Sequence, residues 1–75
     1  MELKDDAYYE PLLAPIIAEL RHAGEMDEEE LVEIIEHEQT DYDAEDVYEA
    51  IILLETRDIV QRSARHGDMF LTLLK

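Results

Sequence analysis

The chain has 75 residues, 47% of them hydrophobic, and sets 21 Asp+Glu against six Lys+Arg for a formal net charge of −15. That length suits one domain over 1–75, near the lower limit at which a core stabilises itself unaided; the hydrophobic share argues against disorder, and the lack of cysteine excludes disulfides and thiolate zinc sites. The longest unbroken apolar run, Leu12 to Ala18, falls far short of the roughly 20 residues a membrane span needs, and the acidic start Met1-Glu-Leu-Lys-Asp-Asp6 is unlike a signal peptide, so a soluble, cytoplasmic protein is expected.

The charge is unevenly placed. Residues 1–55 hold 19 acids and two bases (Lys4, Arg21), a balance of −17. Residues 56–75 hold four bases (Arg57, Arg62, Arg65, Lys75) and two acids (Asp58, Asp68), a balance of +2. Two explanations of the acidity stay open. One is life in molar salt, where an acidic, lysine-poor surface keeps its hydration and its self-repulsion is screened. The other is a basic partner, met by an acidic face that imitates nucleic acid.

In chain order, Ala7 to His22 places Leu12, Leu13, Ile16, Ile17 and Leu20 on one stripe of a helix. Asp5 or Asp6 suits its cap, and Pro11 suits a first turn. Pro15 lacks the amide that would bond to Pro11, so a kink or a fresh helix start is expected there. Gly24 ends the segment as the residue after the cap. A second helix is expected over 27–38: Asp27-Glu-Glu-Glu30 is a capping-box-like pattern, and Leu31, Ile34 and Ile35 form its buried stripe. Gln39 to Tyr42 is a short polar turn. The third helix, over 43–57, is capped by Asp43 with an acid three residues on at Asp46, and its core stripe is Val47, Ala50, Ile51 and Leu54. The period then changes. Ile59 to Ser63 reads as a strand, Ala64 to Asp68 as a turn in which Gly67 supplies a positive φ, and Met69 to Leu74 as the returning strand.

Val47-Tyr48-Glu49-Ala50-Ile51-Ile52-Leu53-Leu54-Glu55, then Arg57 to Arg62, then Gly67-Asp68-Met69-Phe70-Leu71-Thr72, resembles winged helix-turn-helix proteins of the PadR- and MarR-like kind. Their recognition helix reads loosely as Val-Tyr-x-Ala-Leu-x-x-Leu-Glu, followed by Gly-Leu-Val and a hairpin wing closing on Leu-Thr. The resemblance covers residues 10–74 as an architecture, with its specific part at 47–72. It implies an α+β fold: a three-helix winged helix-turn-helix with a C-terminal β-hairpin wing. Helices 27–38 and 43–57 would form the helix-turn-helix and 59–74 the wing.

The sequence departs from that pattern twice. The glycine usual after the recognition helix is Asp58, which tolerates a left-handed conformation better than most residues. The exposed face of the recognition helix, which in DNA-binding members carries bases and amides, here offers Glu45, Asp46, Glu49 and Ile52, with Asp41 and Asp43 in the turn before it. In a major groove these carboxylates would meet phosphates, against a binding mode that rests on neutralising phosphates.

Each candidate has two readings. The recognition-helix acids are either a solvated face or a docking surface. Ile52, framed by Glu45 and Glu49 and off the core stripe, is either an interface anchor or a residue covered by the wing. Arg62, Arg65 and His66 on the wing either touch a phosphate backbone or pair with the acids of the front helices. Tyr8, Tyr9, Tyr42 and Tyr48 suit a core or an interface, because stacking on bases requires a basic groove that the sequence lacks. Glu33 and His37 are spaced to share a cation but specify no third ligand, so no metal and no cofactor are expected. Ser63, the single serine, has no plausible triad, and so small a chain offers little enclosed pocket, so catalysis is not expected.

Two functions follow as expectations. The first is a non-catalytic binding protein whose acidic surface, around Glu28–Glu38 and Asp41–Glu49 and with Asp41, Asp43, Glu45, Asp46, Tyr48, Glu49 and Ile52 at its centre, contacts a basic protein partner; a DNA-mimic-like inhibitor or regulator of a nucleic-acid-handling machine is its concrete form. The alternative is a DNA-binding transcription regulator of an extreme halophile, contacting DNA through Arg62, Arg65 and His66. Lysine scarcity favours the alternative and the seven isoleucines disfavour it. A homodimer through the first helix or Phe70 to Leu74 is left open.

Overall fold

A computed structural model describes residues 5–74. The elements are α1 (Asp6–Ala23), β1 (Glu25–Asp27), α2 (Glu28–Glu38), α3 (Ala44–Thr56), β2 (Val60–Arg65) and β3 (Asp68–Leu73). The strands form one antiparallel sheet in the order β1-β3-β2, so the strand latest in the chain sits at its centre. The fold is α+β, three helices against a three-stranded sheet, as the sequence implies.

Each helix begins where a side chain satisfies amides that have no partner in the first turn. Asp5 accepts from the Tyr8 amide at 3.3 Å. Asp27 accepts from the Glu29 and Glu30 amides at 2.9 and 3.4 Å. At α3 the capping box is reciprocal: Asp43 accepts from the Asp46 amide at 3.0 Å, and the Asp46 carboxylate accepts from the Asp43 amide at 3.3 Å. α1 runs as one helix through Pro11 and Pro15, so no fresh start occurs at Pro15. Proline's φ is already helical, and the fully buried Leu12, Ile16 and Leu20 on either side of Pro15 hold the segment against the core. Gly24 closes α1 with φ 84°, its amide bonded to the Leu20 carbonyl at 2.7 Å.

The strand β1 forms over Glu25–Asp27, where the sequence leaves residues 25 and 26 unassigned and expects Asp27 to begin the second helix. Its register sets Glu25 opposite Thr72, Met26 opposite Leu71 and Asp27 opposite Phe70. Asp27 thus ends a strand and caps a helix at once. In α2 the buried residues include Leu31, Val32 and Ile35, whereas Ile34 is half-buried, so the core stripe is rotated by Val32 relative to expectation. The α3 stripe Val47, Ala50, Ile51 and Leu54 is buried as expected. These stripes meet α1 from one side and Met26, Val60 and Leu71 of the sheet from the other.

The β2–β3 turn is tighter than the sequence suggests. Arg65 pairs with Asp68, leaving only His66 and Gly67 as the loop, with φ of 53° and 84°. Two successive left-handed residues are what a type I′ hairpin requires. Asp58 also takes a left-handed φ of 59°, the place where the related pattern has glycine.

Candidate functional site

The outer ridge of α3 follows from the same stripe that fills the core. With Val47, Ala50, Ile51 and Leu54 turned inward, Glu45, Glu49 and Ile52 fall on the solvent side at i, i+4 and i+7. Ile52 is 42% exposed, so the wing does not cover it. Tyr48 and Leu53 are half-buried beside it, and Asp41 and Asp43 are exposed in the turn before the helix. Partial desolvation pushes the Tyr48 phenol above its ordinary pKa, with the charges of Glu28, Glu29 and Asp27 adding to the effect. Tyr48 is half-buried against the core at the margin of this ridge.

Asp46, expected on the exposed face, is only 8% exposed and belongs to the interior side of the helix start. Besides its part in the capping box, it accepts from the Tyr8 hydroxyl at 3.1 Å. The Tyr42 hydroxyl donates to the Tyr8 carbonyl at 3.0 Å, and the Tyr8 ring stands edge-on to Tyr9 and Tyr42 at 5.0 and 5.3 Å. This cluster ties the N-terminus of α1 to the α2–α3 turn. Three of the four tyrosines are thereby engaged in holding the helices together.

The arginines of the second half are engaged within the chain. Arg62 donates through Nε to Glu28 at 3.0 Å and lies 3.6 Å from Glu55, so one guanidinium on β2 grips the first turn of α2 and the last turns of α3. Glu28 is only 8% exposed. Arg57, following α3, meets Glu10 at 3.1 Å and Asp6 at 3.6 Å on α1. Arg65 pairs with Glu25 on β1 and lies 4.4 Å over the Phe70 ring. Its hydrogen bond holds the Glu25 carboxyl below the usual carboxylate range and raises the Arg65 guanidinium. His66 is exposed at the tip of the hairpin.

The expected site residues therefore separate into two sets. Asp41, Asp43, Glu45, Glu49 and Ile52 lie on the exposed side of the turn and α3, with Tyr48 at its margin. Arg62 and Arg65 are drawn across the sheet toward α2, α3 and β1. Sequence pattern alone does not single out Glu28 and Glu55 as the partners of Arg62, or Arg57 as the link to α1. Glu28 sits in a run of four acids, Asp27 to Glu30, that gives no sign which one turns inward. Glu33 and His37 line an open, shallow depression formed by α2 alone, with Ile34, Glu36 and Glu38. Among the described residues no group of three or more His, Cys, Asp or Glu is placed to hold a metal ion. None of the described helices is long and apolar enough to cross a membrane.

Element order and strand pairing are those of a small α+β fold consistent with a winged helix, with α2 and α3 in the helix-turn-helix positions and β2–β3 as the wing. No protein-family model, curated protein or solved structure matches the chain.

Proposed function

We propose that this winged helix is a non-catalytic binding module that presents the exposed side of the α2–α3 turn and α3 to a basic protein partner. An inhibitor or regulator that occupies the nucleic-acid site of such a partner is its most concrete form. The observation that carries the reading is the ridge Glu45–Glu49–Ile52. A large aliphatic, 42% exposed, stands between carboxylates at the position where related folds insert bases and amides into DNA. The engagement of Arg57, Arg62 and Arg65 by carboxylates of the same chain supports it further. Binding duplex DNA through the wing would require breaking those pairs, and Glu28 would lose its partner while largely buried.

The test uses partners captured on the immobilised protein and then titrated singly in about 0.15 M KCl, where exposed charges act within a Debye length of about 8 Å. The variant Glu45→Lys/Glu49→Lys/Ile52→Arg should weaken binding about a hundredfold or more. A control reversal of the same size on α2, Glu33→Lys/Glu36→Lys, should cost under tenfold. Equal losses in the two variants would reduce the interaction to bulk charge and sink the reading. A parallel titration with duplex DNA should show no binding. Saturable DNA binding that Arg62→Ala/Arg65→Ala abolishes would favour the wing instead.

A further inference from the structure

The geometry points to an α-helix as the partner element that docks on the α3 ridge: an amphipathic helix with one aliphatic residue seated on Ile52 and Lys or Arg about one and two turns away, facing Glu49 and Glu45. This inference rests on the binding reading above and narrows it. Ile52 is exposed on α3, with Glu49 three residues before it and Glu45 seven before, whereas Glu55, three residues after it, is taken up by Arg62 at 3.6 Å. Those spacings put the solvent-facing carboxylates about one turn (Glu49) and two turns (Glu45) before Ile52, along one ridge of about 10 Å from Glu45 to Ile52.

The ridge offers a partner side chains only, because the backbone groups in mid-helix are bonded within α3. An extended strand binds chiefly through main-chain hydrogen bonds and finds none here. A helix instead packs by laying side-chain ridges into grooves, and its own three- and four-residue spacing brings basic residues into line with a central aliphatic. Charge excludes a second copy as the occupant. The chain carries −15, and on this ridge a copy would set Glu45 and Glu49 against their own counterparts. Among the described residues, the wing arginines Arg62 and Arg65 pair with Glu28, Glu55 and Glu25 rather than with Glu45 or Glu49.

Two synthetic peptides of equal length, about 18 residues to be adequately helical, test this. Each carries Lys or Arg about one and two turns from its centre; one has Leu at the centre and the other Ser. The intact protein should bind the Leu peptide about tenfold more tightly than the Ser peptide by fluorescence anisotropy, the factor that burying one aliphatic contact supplies. Ile52→Ser should abolish that preference while leaving the Ser-peptide affinity unchanged. Glu45→Gln/Glu49→Gln should weaken both peptides alike. Equal affinity for the two peptides, or a Leu preference that survives Ile52→Ser, overturns the helix-docking inference. So does failure of both peptides to bind. If a captured protein partner still responds to the α3 charge reversal in any of those cases, the acidic-face reading stands without the helix. If that response is absent as well, both fall.

Discussion

The outer ridge of α3 and the β2–β3 wing carry opposite charges on adjoining parts of a small domain. On the wing side each described arginine has a carboxylate of its own chain: Arg62 has Glu28 and Glu55, and Arg65 has Glu25. On α3, Glu45 and Glu49 face solvent with an exposed isoleucine beside them. A surface charge held by a neighbour is part of the internal scaffold, whereas one facing water is available to a partner. Counting charges along the chain puts the basic character in residues 56–75. Placement in three dimensions shows that acids of residues 1–55 already engage its arginines.

Four substitutions or titrations would sharpen or break this contrast. The largest effect is expected at Arg62→Ala, which leaves Glu28, 8% exposed, without its guanidinium; thermal and urea unfolding should report a loss of about 3 kcal/mol. The pair Glu28→Gln/Arg62→Met should recover most of it, and a loss below about 0.5 kcal/mol for Arg62→Ala would return that arginine to the set of available surface charges. Next, Asp46→Ala should cost about 2 kcal/mol, because it removes the acceptor of the Asp43 amide and the Tyr8 hydroxyl. Glu45→Gln and Glu49→Gln, on the same helix but facing water, should each change stability by less than about 0.5 kcal/mol. If Asp46 and Glu49 behaved alike, the division of α3 into scaffold and surface acids would be wrong.

The smallest effect is at the exposed Glu25–Arg65 pair. Since the Arg65 hydrogen bond lowers the folded-state pKa of Glu25 below its ordinary 4.5, the pair's contribution is present above that unfolded value and fades as pH falls through the lower folded one. Carboxyl NMR should place the Glu25 midpoint below 4.5 in the native chain and restore it to the ordinary range in Arg65→Gln. An unchanged midpoint in that variant would remove Arg65 as the cause.

Much of the architecture is legible in the sequence because its signals are local. Asp43 with Asp46 announces a capping box, the 47–54 stripe announces a helix face, and Gly67 announces the hairpin turn. The strand β1 is not legible. Three residues, Glu25-Met26-Asp27, are too short to show alternation, and they become a strand only because β3 arrives beside them. The site divides in the same way. Helical spacing alone places Glu45, Glu49 and Ile52 outward, but it also places Asp46 there, since Tyr8, 38 residues away, is invisible to it. That Arg62 binds Glu28 across 34 residues is likewise a fact of folding rather than of pattern.

The position of β3 at the centre of the sheet carries a consequence for how the domain assembles. The β2–β3 hairpin closes over a two-residue loop and can form early, on the microsecond scale typical of hairpins. The β1 strand joins β3 only by closing the long intervening stretch of chain between Met26 and Leu71, which contains α2 and α3. Until Leu71 is in place, the helices have no sheet to cover their shared apolar side. Every other element precedes β3 in synthesis, so the nascent domain passes through a stage with its helices made and its core open. At a net charge of −15, like-charge repulsion opposes association of such half-covered chains until the last strand closes them.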